Sequence, residues 1–238
     1  EVLKLNGYNT AMFGKHHNVP PGEHSAAGPF DHWPTGLGFE HFYGIINGES
    51  DQWRPVLHRG ISPVVGEEKV GELLEKRLVD DTIGWVRDQK AAAPDKPFFI
   101  YYSAASTHAP HQAPRELIER FRGKFDQGWD RVREETWKRQ HVQGIIPKGT
   151  TLTPRPDSIA PWSSLTPAQK AFAARGMEVA AAMLAYQDEQ LGRILEEFDR
   201  IGLTANTLFL IIQGDNGASG DGDLAGVVNE FGAINGLP

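Results

Sequence analysis

Three clusters along this 238-residue chain carry residue types able to do chemistry on an anion. Gly14-Lys15-His16-His17 sets an ammonium beside imidazoles, so a fixed positive charge and a proton carrier could reach one negative group together. Thr107-His108-Ala109-Pro110-His111-Gln112-Ala113-Pro114 holds two histidines in a loop whose prolines restrict the backbone. Gly214-Asp215-Asn216-Gly217 offers a carboxylate and an amide oxygen side by side, donors suited to a hard cation such as calcium or magnesium. Each cluster also has an ordinary reading. Histidines in loops are more often solvated or bound to backbone, and Asn-Gly is a hairpin-turn signal. Against the hairpin, residues Ala218 to Gly226 contain no β-branched partner strand. Asp221 and Asp223 are set aside as solvated loop residues, and His24, His32, His41, His58 and His141 as surface or structural ones.

The elements that must position these clusters follow from periodicity. The first residues read as the last turn of a helix closed by Gly7, and Asn9 to Phe13 as a strand that hands the chain to Lys15. A Gly-, Pro- and His-rich loop runs to about Leu37, and a second strand is expected over Phe39 to Ile46. Between Glu67 and Gln89 the apolar positions Val70, Leu73, Leu74, Leu78, Ile83 and Val86 recur at near-helical spacing, which predicts an amphipathic helix. Phe98-Phe99-Ile100-Tyr101-Tyr102 has the continuous apolar character of a buried strand and leads into His108. A helix is expected from Pro114, then a Trp- and Pro-rich surface excursion at about 123–162. Thr166-Pro167 supplies an N-cap and a first-turn proline for a long helix ending near Arg200. Thr207 to Ile212 has the strongest buried-strand pattern of all and empties into Asp215 and Asn216. Strands alternating with helices predict an α/β fold on a mostly parallel sheet covered on both faces, where ligands bind beyond the carboxyl ends of strands.

Composition narrows the partners. The net charge of -7 and the absence of any Lys/Arg-rich run argue against nucleic acid, so an anionic substrate must be drawn by a local cation cluster or a metal. No stretch approaches the roughly 20 apolar residues of a membrane-spanning helix, and mean hydropathy is -0.41. With no cysteine, disulfides, thiolate metal sites and cysteine nucleophiles are excluded within these residues.

Taken in order, the clusters resemble the type I sulfatase family, the arylsulfatase branch of the alkaline-phosphatase-like superfamily. Gly7-Tyr8-Asn9-Thr10-Ala11-Met12-Phe13-Gly14-Lys15-His16-His17 is similar to that family's G-Y-x-T-A-x-x-G-K-W-H signature, with His16 in the usual Trp position. Pro97-Phe98-Phe99-Ile100-Tyr101-Tyr102 followed by the His108 loop resembles its P-F-F-x-Y stretch and H-x-P-x-x-x-P loop, an alignment that selects His108 over His111. Gly214-Asp215-Asn216-Gly217 matches its G-D-N-G element. The segments Gly123 to Asp130 and Thr153 to Pro156 resemble a bacterial arylsulfatase subgroup.

The resemblance implies an alkaline-phosphatase-like three-layer sandwich, with residues 1–238 forming part of a sulfatase catalytic domain. Lys15 and His17 would hold the sulfate ester, His108 would contact or protonate the leaving-group oxygen, and Asp215 and Asn216 would bind Ca2+. It further implies a small-molecule or saccharide sulfate ester as substrate and a periplasmic or secreted setting. The nucleophile would be a formylglycine made from Cys or Ser in a C/S-x-P-S-R motif. These residues contain no such motif, so it is expected upstream, in a longer protein of which this chain is an internal fragment, inactive by itself. Two other readings stand beside this one: a phosphodiesterase or phosphonate-ester hydrolase of the same superfamily, and a non-catalytic binding relative.

Overall fold

In the computed structural model, which describes residues 1–66 and 69–214, the apolar run after Gly7 forms an interior strand of a five-stranded sheet. A short helix α1 (Val2–Leu5) is stopped at Gly7, whose φ of +85° is open to glycine at little cost. Strand β1 (Asn9–Lys15) then lies between β2 (His41–Ile45) and β5 (Phe98–Ser103), parallel to both. The two-residue strands β3 (His58–Arg59) and β4 (Ser62–Pro63) extend the β2 side antiparallel, giving the order β4-β3-β2-β1-β5. The architecture is thus mixed α/β with one open sheet, parallel from β2 through β1 to β5 and antiparallel at β3 and β4.

Successive side chains of a strand point to opposite faces, and β1 buries both. Ala11 and Phe13 pack with Tyr43, Ile45, Leu74 and Leu78 under helix α2 (Leu74–Ala92). Met12 packs on the other face with Phe42, Val19, Trp33 and Ile46, so a loop covers that face where a helix would ordinarily lie. Fully burying a side chain such as Phe13 or Phe42 contributes about 1.5–3 kcal/mol, enough for this central pair of strands to organise the sheet. The far side of α2, through Val79, Ile83 and Val86, meets Ile194 and Phe198 of α5 (Pro167–Arg200).

The long helix begins as its sequence implies. Thr166 Oγ1 accepts the Gln169 N–H at 3.3 Å and Gln169 Oε1 accepts the Thr166 N–H at 2.9 Å, a reciprocal cap. Residues 114–182 form a second compact unit, distinct from the sheet unit of residues 1–113 and 183–238. It holds α3 (Arg115–Arg120), α4 (Trp129–Gln143) and the first half of α5. Part of the stretch expected as a surface excursion, α4, is therefore helical, though α4 buries none of its residues. Among the described residues no helix is long and apolar enough to cross a membrane.

Three expectations are corrected. The aromatic strand forms as β5 but is not buried: it ends the strand order among the described residues, and Phe99 and Tyr101 are exposed. Helix α2 starts at Leu74, not Glu67: Gly71 sits at φ +83° and Val70, counted on the apolar face, is 95% exposed. The segment Thr207 to Ile212 is not a buried strand. Among the described residues it pairs with no strand, and its apolar side chains are largely exposed, Ile212 by 93%, while the Phe209 ring rests on Phe198 at 5.2 Å. An apolar run supplies a strand's side chains, but a strand exists only where a neighbour completes its hydrogen bonds.

Candidate functional site

Parallel alignment of β2, β1 and β5 delivers their carboxyl ends to one edge of the sheet. Gly14 stands opposite Gly44 on one side and Ser103 on the other. A Cβ on Gly14 would fall 1.8 Å from the Ser103 carbonyl oxygen, and one on Gly44 would fall 1.9 Å from that of Gly14. Only glycine allows the three backbones this approach, at the place where the first two candidate clusters leave their strands.

Lys15 is the last residue of β1, half-buried. His16 turns inward and is buried, its Nε2 2.9 Å from the His32 carbonyl oxygen. Burial lowers its pKa, partly opposed by that hydrogen bond, so the ring is held neutral and structural. His17 is exposed and has φ +55°, the one left-handed conformation among the described non-glycine residues. That backbone costs on the order of 1 kcal/mol, and it sends the side chain away from the core into which His16 turns. The His17 ring lies against the loop after β2. A Cβ on Gly48 would come within 2.6 Å of its Cε1 and 2.7 Å of its Nε2, so Gly48 is the hydrogen-only surface on which His17 rests.

The residue after Gly48 reaches the third strand's loop. Glu49 Oε2 is 3.6 Å from His108 Nδ1, which also lies 3.3 Å from the Ala109 carbonyl oxygen. Both neighbours are acceptors, which favours the tautomer carrying its proton on Nδ1. Loop 46–49 therefore links the His17 ring to the His108 ring. A second tie joins the same loops: Gln112 Oε1 accepts the Gln52 N–H at 2.7 Å and Gln112 Nε2 donates to Asp51 Oδ2 at 2.9 Å. His111 is spent structurally, its Nε2 3.0 Å from the Thr107 carbonyl oxygen.

Lys15, His17 and His108 thus come to one sheet edge, whereas Asp215 and Asn216 lie outside the described residues. Among the described residues no group of three or more His, Cys, Asp or Glu is arranged to hold a metal. The five histidines set aside earlier have ordinary partners: His24 bonds the Val19 carbonyl, His32 bonds Glu23, His41 bonds Asp81 and His141 bonds the Thr150 carbonyl, while His58 packs edge-on to Trp33.

Sequence reasoning missed Glu49, Gly48 and Glu75. Glu75 carries a visible signal, since it falls within the apolar stripe of α2 at positions i, i+3, i+4 and i+7 with Leu78, Val79 and Thr82. Its carboxylate is buried and accepts four donors. These are the Ala105 N–H at 2.7 Å, the Ser106 N–H at 3.2 Å, the Ser106 hydroxyl at 3.4 Å and the Tyr102 hydroxyl at 2.7 Å. Nothing comparable in sequence singles out Glu49, whose meaning comes from a loop 59 positions away.

The fold and this strand-end site define an α/β protein with an ammonium and imidazoles gathered where parallel strands end. Comparison with known proteins gives the family: residues 1–232 match the Sulfatase family model, and the chain belongs to that family. It is 32% identical over 230 residues to an arylsulfatase of Klebsiella aerogenes, covering 92% of this chain and 47% of that protein. It is 26% identical over 228 residues to an ulvan-active sulfatase of Formosa agariphila, covering 91% and 34% respectively. Among solved structures it resembles yidJ of Bacteroides fragilis with a TM-score of 0.54 at 19% identity, over 87% of this chain and 40% of that one. Structural neighbours are sulfatases of the alkaline-phosphatase-like fold. The chain spans about half or less of the length of the curated relatives it matches.

Proposed function

We propose that the intact protein is a sulfuric ester hydrolase, arylsulfatase-like, acting on a small-molecule or saccharide sulfate ester. What carries the reading is the convergence of Lys15, His17 and His108 at one edge of the sheet in a chain of the Sulfatase family. Similarity to proteins named arylsulfatase and ulvan-active sulfatase supports the same substrate chemistry.

Cleaving a sulfate ester moves negative charge onto the bridging oxygen. Lys15 and His17 hold the sulfate oxygens and offset the charge that grows on them. His108, whose Nδ1 lies beside Glu49 and the Ala109 carbonyl, is the imidazole that gives the departing oxygen its proton. The attacking group, a formylglycine in this reading, comes from residues outside these 238. Asp215 and Asn216 bring adjacent oxygen donors fit for Ca2+, which when bound supplies Lewis-acid stabilisation and orients the sulfate. Calcium takes about six to eight oxygens, so these two form part of its shell only.

The test uses the intact protein with 4-nitrophenyl sulfate and, as competitor, bis-4-nitrophenyl phosphate. Lys15→Ala, His17→Ala and His108→Ala are each expected to lower kcat on the sulfate by about 100-fold or more, and chelation of calcium to abolish turnover. Preference for the phosphodiester, or full activity of all three variants, sinks the reading.

A further inference from the structure

Glu75 is a buried carboxylate in the helix beneath the sheet, and the chemistry above makes no use of it. A structural acid in a helix would ordinarily be capped by its own helix or paired with a cation. This one instead spends both oxygens on the three residues 102, 105 and 106. Oε2 takes the Tyr102 hydroxyl from the end of β5, and Oε1 takes two consecutive backbone N–H groups and the Ser106 hydroxyl. Those amides open the loop that carries His108 two residues later. Burial pushes the Glu75 carboxyl up, against the pull of its four hydrogen bonds, and burial together with Glu75 pushes the Tyr102 hydroxyl up, so Tyr102 stays a donor.

We propose that Glu75 is the positioning residue for His108: it fixes the start of the loop from below, while Glu49 and the Asp51–Gln112 tie hold its far side. The role rests on the sulfate-ester reading, because it assigns His108 the proton for the leaving group. The bonding pattern separates geometry from charge. In Glu75→Gln one amide oxygen still accepts the Ala105 and Ser106 N–H groups, and the amide nitrogen donates to the Tyr102 hydroxyl, which can turn to accept. In Glu75→Asp the charge remains but the oxygens retreat by one methylene.

The experiment measures kcat of intact wild-type, E75Q and E75D protein on 4-nitrophenyl sulfate and on an alkyl sulfate, whose poor leaving group depends on protonation. It also follows the NMR titration of the His108 ring. Displacement of a catalytic group by about an ångström costs on the order of 100-fold. E75D is therefore expected to lose about 10- to 100-fold on the alkyl sulfate and only about 3-fold on the aryl ester. Its His108 titration shifts, and E75Q stays near wild type in both readouts. Equal losses on the two esters, a His108 titration unmoved in E75D, or E75Q falling with E75D overturns the assignment. If wild type cleaves neither ester, the functional reading fails separately, and the His108 titration still decides whether Glu75 places that ring.

Discussion

At the scale of single residues, the site depends on how closely a side chain can lie to a backbone. The His17 ring occupies space that any Cβ on Gly48 would claim, and its own backbone is already in the left-handed region. Gly48→Ala is therefore expected to push the imidazole aside, because the ring is softer than the strand-end backbone beneath it. The predicted outcome is a kcat loss of about 10- to 100-fold in the intact protein with the melting temperature moved by less than about 4 °C. A crystal structure with His17 unmoved would show that the ring was never resting there. Lys15, by contrast, is carried to the site by sheet register, as the terminal residue of a strand buried on both faces.

At the scale of elements, α2 does three jobs with one helix. Its apolar stripe covers the sheet, Glu75 holds the His108 loop, and Asp81 binds the antiparallel margin. Asp81 accepts from His41 Nε2 of β2 at 2.9 Å and pairs with Arg59 of β3 at 2.6 Å. Burial works to raise its pKa, but bonds from His41 and Arg59 outweigh this and hold the carboxyl below its ordinary value. Asp81 is the buried member of this cluster, and removing it leaves His41 Nε2 without its acceptor while the more exposed Arg59 turns to solvent. Asp81→Ala is thus expected to cost about 1–3 kcal/mol of stability in the intact protein, measurable by urea denaturation, and to loosen β3 before β1. Amide exchange that quickens equally at β1 and β3 would contradict a role confined to the margin.

At the scale of the whole molecule, pH couples to buried groups with opposite signs. His16 is held neutral below its ordinary 6.5, so its contribution is fully present above pH 6.5 and is lost as pH falls through the folded value. Asp81 behaves likewise below its ordinary 3.8. Glu75 is raised above 4.5, so its contribution is complete below that pH and is lost as pH rises through the folded value. Acidification from about pH 6.5 therefore draws stability down through His16, and through His58, which burial also lowers, while Glu75 acts the opposite way. His16→Gln, which can still donate to the His32 carbonyl without titrating, should flatten that slope by no more than one proton's worth, about 1.4 kcal/mol per pH unit. An unchanged slope in the variant would remove His16 as its source.

Much of this protein was legible in residue order. Local patterns determined the strand from Asn9 that hands the chain to Lys15, the aromatic strand leading to His108 and the cap at Thr166, because each depends on neighbours a few positions away. Resemblance picked out His108 over His111, and the Sulfatase match identifies the family independently. Tertiary structure alone decided what pairing and burial do with those patterns. It left Thr207 to Ile212 without a strand neighbour among the described residues, delayed α2 to Leu74, and turned His16 inward while His17 faces out. It also brought Glu49 and Glu75 to a loop about 60 and 30 positions away, respectively. Side-chain periodicity is a property of the chain, but hydrogen-bond completion and desolvation belong to whatever the fold sets alongside it.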